Sequence, residues 1–214
     1  MTGGTGNDTY IVDSTGDVTQ ETSTTDTEID TVNTFISYTL NSNLENLTLT
    51  GVSAINGIGN TFNNTITGNT ANNILSGVAG SDTMTGGTGN DTYIVDNAGD
   101  VINETSTTAT ENDSVKSSVS YTLVSNLENL TLTSTSEING TGNTLNNIIT
   151  GNSANNTLSG GTGNDTMTGG TGNDTYVVDA TSDRISETST TATEIDAVQS
   201  NLSHTLVTNL ENLT

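Results

Sequence analysis

The sequence predicts an all-β fold, a parallel β-solenoid built from tandem repeats. Three observations lead to this prediction: a motif that recurs at a fixed interval, a nine-residue period with one apolar residue in each block, and a composition poor in core residues. Only 29% of the residues are hydrophobic and 3% are aromatic, too few for a conventional globular core. A solenoid suits such a chain because each repeat buries a narrow apolar stripe against its neighbours.

The longest internal repeat spans 83 residues. The string GGTGNDTY occurs at residues 3–10, 86–93 and 169–176, and NLENLT recurs at the same interval. We therefore predict a single tandem-repeat solenoid over residues 1–214, with unit 1 at 1–83, unit 2 at 84–166 and a partial unit 3 at 167–214. Because atypical capping repeats normally close a solenoid, and none is visible here, we expect this chain to be a slice of a longer array.

A finer period of nine residues runs inside each unit, from Gly59 to Asn103 and from Gly142 to Ser186. The eighth residue of every block is apolar: Ile66, Leu75, Met84, Tyr93, Ile102, Ile149, Leu158, Met167, Tyr176 and Ile185. This pattern indicates a three-residue strand with its central side chain facing inward, because neighbouring strand residues point to opposite faces. The Gly- and Asn-rich residues before it favour a tight turn.

Two nonapeptides are predicted to close one coil of about 18 residues, in the order strand, turn, strand, turn. Coils stacked in this way rise by about 4.8 Å each. The segment from Glu104 to Thr141 departs from the nine-residue period, but its apolar residues still alternate, as at Val119, Tyr121 and Leu123. We expect it to continue the solenoid as longer coils or to form a small side hairpin.

The sixth residue of the turn is Asp or Asn, and residues eighteen positions apart should lie above one another. The facing pairs predicted in this way are Asp82/Asp100, Asp165/Asp183, Asn73/Asp91 and Asn156/Asp174. Carboxylates stacked about 5 Å apart repel each other unless a cation lies between them. Calcium fits because it takes 6–8 oxygen ligands in irregular geometry, whereas a chain with no Cys and one His offers no zinc site.

The nonapeptide GGxGxDxUx resembles the repeat of the RTX (repeats-in-toxin, hemolysin-type calcium-binding) family. Full matches stand at 3–11, 86–94, 160–168 and 169–177. The resemblance implies a right-handed parallel β-roll in which Ca²⁺ is held between turns by the aspartate and by backbone carbonyls of the glycine-rich loop. It also implies export by a type I secretion system and folding in extracellular calcium.

Carried over to this chain, the motif aspartates are Asp8, Asp91, Asp165 and Asp174. The turn and carbonyl positions are Gly86, Gly87, Gly89, Gly160, Gly161, Gly163, Gly169, Gly170 and Gly172. Asp82, Asp100, Asp183, Asn73 and Asn156 complete the expected metal ligands.

The chain also departs from the family pattern. Val78 replaces the second glycine of its turn, and Asn stands at the aspartate position of several blocks. We therefore predict few calcium ions per unit, with Asn ladders in the remaining turns. The best sites are expected at Asp82/Asp100 and Asp165/Asp183.

Charge and composition exclude several functions. Lys and Arg together number two and Asp and Glu together number 25, so the net charge is −23. We therefore expect no basic surface that could bind nucleic acid. The apolar runs are shorter than the roughly 20 residues of a transmembrane helix. No catalytic constellation is present, and His204 is expected to be a drifted repeat position. The chain is therefore not predicted to be an enzyme.

Together these features predict a calcium-binding structural module of a secreted or bacterial cell-surface protein, which folds on binding calcium. It would serve as a spacer in an adhesin, a surface layer or an extracellular filament. Two alternatives remain open: the C-terminal RTX secretion and folding domain of a secreted hydrolase or toxin, and a Thr/Asn-rich surface that binds a ligand or ice. Self-association with neighbouring repeats is also left open, since identical repeats favour head-to-tail contacts.

Overall fold

The computed structural model describes residues 1–24, 27–108, 110–187, 189, 194–203, 205–206 and 208–214. The prediction for His204 concerns a residue outside this set. The chain divides into two compact structural units, Met1–Asp113 and Ser114–Thr214. From here on, the first and second unit are these two, and the 83-residue sequence units are called repeats. Among the described residues every regular element is a β-strand, and no helical segment has the length and hydrophobicity to cross a membrane.

The first unit contains ten short strands among its described residues. They are β1 (Thr9–Val12), β2 (Thr31–Thr34), β3 (Tyr38–Thr39), β4 (Asn46–Leu49), β5 (Gly57–Ile58), β6 (Thr65–Thr67), β7 (Ile74–Ser76), β8 (Thr83–Thr85), β9 (Thr92–Val95) and β10 (Val101–Ile102). One sheet has the order β1-β2-β4-β6-β8-β10 and the other the order β9-β7-β5-β3. From β2 onwards, consecutive strands therefore lie in alternating sheets, as the coils of a solenoid require.

The second unit repeats this arrangement with eleven strands in its described part. They are β11 (Ser114–Ser117), β12 (Tyr121–Thr122), β13 (Asn129–Leu132), β14 (Gly140–Thr141), β15 (Ile148–Thr150), β16 (Thr157–Ser159), β17 (Thr166–Thr168), β18 (Thr175–Val178), β19 (Arg184–Ile185), β20 (Ala197–Ser200) and β21 (Asn212–Leu213). Its sheets have the orders β19-β17-β15-β13-β11 and β12-β14-β16-β18-β20-β21. The strand pairings of the described residues within each unit are parallel, which confirms the predicted parallel β-solenoid. Strands β11 to β14 join these sheets, so the segment after Glu104 continues the solenoid rather than forming a hairpin.

Coil length varies more than the sequence predicts. Thr65 pairs with Thr83, and Thr83 pairs with Val101, at the expected 18-residue interval. In contrast, Thr9 pairs with Thr31, 22 residues later, and Thr31 pairs with Asn46, 15 residues later. Strand pairing fixes only the register of the strands, so turns at the edges can gain or lose residues without disturbing the ladder.

The core consists of the inward side chains of successive coils. Val32, Leu47, Ile66 and Met84 are stacked in register in one sheet of the first unit, and each is completely buried. Full burial of such a side chain contributes roughly 1.5–3 kcal/mol relative to exposure. The outward positions beside them are mostly threonine, whose branched side chain suits the open face of a sheet.

The 83-residue repeat places equivalent strands in opposite sheets of a unit. Strands β1 and β9 carry the same TYIV sequence 83 residues apart, yet they lie in opposite sheets of the first unit. In the second unit, β11 and β20 are also 83 residues apart and likewise lie in opposite sheets. Within a unit, equivalent turns of successive repeats therefore lie on opposite edges of the solenoid.

Candidate metal centre

Glycines shape the turns in which the predicted ligands lie. Gly87 and Gly89 have φ angles of +105° and +111°, which favour residues without a Cβ atom. Gly86 has no such φ, but a Cβ there would lie 2.2 Å from Oδ2 of Asp91. The other predicted turn glycines show the same positive φ or the same lack of space: Gly160, Gly161, Gly163, Gly169, Gly170 and Gly172.

Val78 shows what happens when one of these glycines is lost. It keeps the turn conformation, with a φ of +75°, although a β-branched residue is strongly disfavoured there. The turn that leads to Asp82 is therefore strained.

Four aspartates at the sixth position of the turn are buried, and one oxygen of each has no hydrogen-bond partner among the described residues. Asp82, Asp91, Asp165 and Asp174 are at most 1% exposed. Oδ1 of each accepts a 2.7 Å hydrogen bond from the backbone N–H of the Asn eighteen residues earlier. Oδ2 of each is buried without a hydrogen-bond partner among the described residues, as is Oδ2 of the half-buried Asp8. A buried carboxylate oxygen without a partner is costly, so the turn is completed by a proton or a cation.

The structure brings the predicted Asp165/Asp183 pair together. Oδ1 of Asp183 accepts a 3.1 Å hydrogen bond from the N–H of Asp165, and its Oδ2 accepts from the N–H groups of Asp179 and Ala180. Carboxylate oxygens of Asp165, Asp179 and Asp183 lie within 4.8 Å of one another. Asp82 and Asp100 are joined by the equivalent bond of 3.0 Å.

The predicted ligands Asn73 and Asn156 are already engaged in hydrogen bonds. Oδ1 of Asn73 accepts from the N–H of Asn69 at 2.8 Å, and its Nδ2 donates to the carbonyl of Ile55 at 2.6 Å. Asn156 makes the same two bonds to Asn152 and Ile138. Each side-chain amide thus forms hydrogen bonds both within its own turn and to the preceding coil, as expected for an Asn ladder. A role of these two residues as metal ligands stays a prediction.

A second arrangement of acids surrounds Asp91. The next coil has 22 residues, and Oδ1 of Asp113 accepts a 2.6 Å hydrogen bond from the N–H of Asp91. Glu104 lies beside them, with its Oε2 accepting a 2.6 Å hydrogen bond from the hydroxyl of Tyr93. Carboxylate oxygens of Asp91, Glu104 and Asp113 lie within 4.8 Å of one another. The groups Asp8/Glu21/Asp30 and Asp174/Glu187/Asp196 are built in the same way.

Burial makes the charged form of Asp82, Asp91 and Asp174 unfavourable. Desolvation raises the pKa of Asp91 to about 6 and that of Asp174 to about 7, against the opposing effect of the N–H groups of Asn73 and Asn156. Neighbouring carboxylates raise these pKa values further. Desolvation also raises the pKa of Asp82 to about 6.

Comparison with protein families agrees with this geometry. The RTX calcium-binding nonapeptide repeat matches residues 58–93 and 141–176, in four copies. This chain contains RTX calcium-binding repeats. No curated protein matches it as a relative. The RTX matches cover the first four nonapeptide blocks of each series and include Asp82, Asp91, Asp165 and Asp174.

The oxygen atoms and the free space in the RTX turns are suited to calcium. The unpaired Oδ2 oxygens are hard anionic ligands, and the glycine-lined space beside them would be filled by any Cβ atom. The acidic groups could hold such an ion, whose charge would offset the repulsion between carboxylates.

Sequence reasoning missed the acidic residues that the longer coils add to these groups. Glu21, Glu104 and Glu187 each begin an ETST string, and Asp30, Asp113 and Asp196 each end a TExD string, both at the 83-residue interval. Neither string fits the RTX nonapeptide, so the eighteen-residue rule passed over them. Acidic residues recurring at the repeat interval, outside the nonapeptide blocks, were the available signal.

Proposed function

We propose that this chain is a calcium-dependent structural module of a secreted or cell-surface protein, which reaches its folded state when calcium neutralises the acidic edges of the solenoid. The observation that supports this proposal is the buried Oδ2 of each motif aspartate, for which the described residues supply no hydrogen-bond partner. The module carries no catalytic role in this proposal.

The charge balance of the chain gives calcium a large effect on folding. The chain has a net charge of −23, and its only Lys and Arg side chains, Lys116 and Arg184, are exposed on β11 and β19. Folding gathers carboxylates that repel one another, and burial adds a desolvation cost. A ligand that binds only the folded state stabilises it by about 2.7 kcal/mol for each site when present at 100 times its Kd.

This dependence suits a protein that works outside the cell. Where calcium is scarce, the acidic turns keep the chain unfolded, which is compatible with export. Where calcium is abundant, the parallel ladders and stacked core form a stiff spacer. RTX repeats are typical of secreted proteins, and an adhesin, surface layer or extracellular filament is the host protein that we propose.

Circular dichroism and calorimetry test the proposal directly. The purified chain should show a disordered far-UV spectrum in a chelator and a β-sheet spectrum after calcium is added. Magnesium at equal concentration serves as the control, and it should be much less effective because it demands a stricter octahedron and retains its water. A β-sheet spectrum unchanged between chelator and calcium, with no heat of calcium binding, would refute the proposal.

A further inference from the structure

The 22-residue coils contain acids that the nonapeptide motif does not account for. In the motif, the ligands come from turns eighteen residues apart, whereas here the partner of Asp91 is Asp113, at 22 residues. Glu104 lies between these two residues in the sequence, thirteen residues after Asp91, and its side chain is 8% exposed. The three carboxylates therefore come from three separate points of one coil.

The hydroxyl of Tyr93 holds the glutamate in this position. It accepts a 2.8 Å hydrogen bond from the N–H of Gly86 and donates a 2.6 Å bond to Oε2 of Glu104. Oε1 of Glu104 accepts a 2.8 Å bond from the N–H of Ser106. Because Tyr93 is completely buried, its hydroxyl fixes the carboxylate beside Asp91 in the folded turn.

An independent observation indicates that this group holds a ligand. Asp91 is 1% exposed, and its Oδ2 has no hydrogen-bond partner among the described residues. That oxygen lies over Gly86, where a Cβ would come within 2.2 Å of it. The arrangement recurs at Asp174, which is also 1% exposed with an unpaired Oδ2.

We propose that each 22-residue coil forms a second class of calcium site, in which a motif aspartate, a tyrosine-anchored glutamate and a distal aspartate bind one ion. The three sites are Asp8/Glu21/Asp30, Asp91/Glu104/Asp113 and Asp174/Glu187/Asp196. This inference rests on the proposed function and adds ligands to it. Three largely buried carboxylates carry more negative charge than a divalent ion neutralises, so these sites bind a trivalent lanthanide more tightly than calcium.

The recurrence of the bonds supports one design for all three sites. The hydroxyls of Tyr10 and Tyr176 donate to Glu21 and Glu187 at 2.8 and 2.6 Å. The N–H groups of Asp8 and Asp174 each donate a 2.7 Å bond to the aspartate 22 residues later. The same tyrosine, glutamate and aspartate positions are therefore used in every repeat.

Terbium is a suitable probe because a buried tyrosine beside the site transfers excitation energy to it. The triple variant Glu21→Gln, Glu104→Gln and Glu187→Gln removes one carboxylate from each site with almost no change in shape. We expect it to weaken tyrosine-sensitised terbium binding at least tenfold and to lower the calorimetric calcium stoichiometry, while the remaining sites keep their affinity. Glu137→Gln, at an exposed glutamate, is the matched control and should change neither measurement.

The outcomes separate this inference from the proposed function. Wild-type chain that binds no calcium refutes the proposed function and this inference with it. A triple variant with unchanged stoichiometry and terbium affinity refutes this inference alone. If the triple variant does not fold in calcium, the single variant Glu104→Gln decides: loss of one site supports the inference, and an unchanged stoichiometry overturns it.

Discussion

Replacing Asp165 by asparagine isolates the effect of a buried carboxylate on folding. Asp165 is completely buried, and its Oδ1 accepts a hydrogen bond from the N–H of Asn147. Its Oδ2 has no hydrogen-bond partner in the part of the chain that the structure describes. Asn147 occupies the same turn position one coil earlier, and there the amide donates to the carbonyls of Leu127 and Glu128 at 2.9 and 3.2 Å. An uncharged amide is therefore compatible with this position.

The variant should change stability in opposite directions with and without calcium. An unsatisfied buried polar group costs about 1–3 kcal/mol, and more if charged, so without calcium Asp165→Asn should be more stable by about that amount. For a chain of this size, each kcal/mol corresponds to about 2–4 °C in Tm. With calcium at 100 times its Kd, the variant loses about 2.7 kcal/mol of ion-linked stabilisation.

Thermal and urea unfolding in calcium measure the loss of stability. Folding induced in chelator by a stabilising osmolyte, followed by circular dichroism, measures the gain. The reverse variant Asn147→Asp is the matched control, because it adds a buried carboxylate and loses the amide bonds; it should be destabilised without calcium. A variant Asp165→Asn that is equally destabilised in chelator and in calcium would show that the carboxylate serves the turn alone and would refute the reasoning.

Three further predictions concern pH, the core and the glycines. Because the folded-state pKa values of Asp91 and Asp174 are raised to about 6 and 7 from 3.8, the stability that they contribute without calcium is complete below about pH 4 and is lost as the pH rises through 6 to 7. In chelator, the β-sheet signal in circular dichroism should therefore increase as the pH is lowered from 7 to 4, and a flat profile would contradict the assignment. Leu75→Ala should cost about 2–5 kcal/mol in urea unfolding, since Leu75 is completely buried, and a loss below 1 kcal/mol would argue against a packed core there. Gly169→Ala should weaken calcium binding in calorimetry because its Cβ would lie 2.1 Å from Oδ2 of Asp174, whereas Gly16→Ala, with no atom closer than 4.0 Å, should bind normally.

Strand positions could be predicted from the sequence because burial follows the nine-residue period directly. Ile66, Leu75, Met84 and Tyr93 are completely buried, as the eighth position of each block requires. The eighteen-residue rule also placed Asn73 next to Asp91, where a 2.7 Å hydrogen bond joins them. Within the nonapeptide blocks, strand register and turn length are set by the same repeated residues, so the spacing alone is sufficient.

The 22-residue coils could not be derived in the same way. Their extra residues lie in the turns, where strand pairing places no constraint on length, so the interval from Asp91 to Asp113 is decided by the turn itself. The position of Glu104 depends on a hydrogen bond to Tyr93, eleven residues earlier, which no periodicity reports. The strain at Val78 could be anticipated as a lost glycine, but its φ of +75° is known only from the structure.

The change of sheet between successive copies of the repeat constrains how a gene of this kind can change in length. Loss or duplication of one 83-residue copy leaves buried side chains buried and exposed side chains exposed. It nevertheless moves every later motif to the other sheet, because strands one copy apart, such as β1 and β9, lie in different sheets. Loss or duplication of two copies restores the original side. Recombination in pairs would thus preserve which flank of the molecule displays a given loop, and recombination of single copies would reverse it.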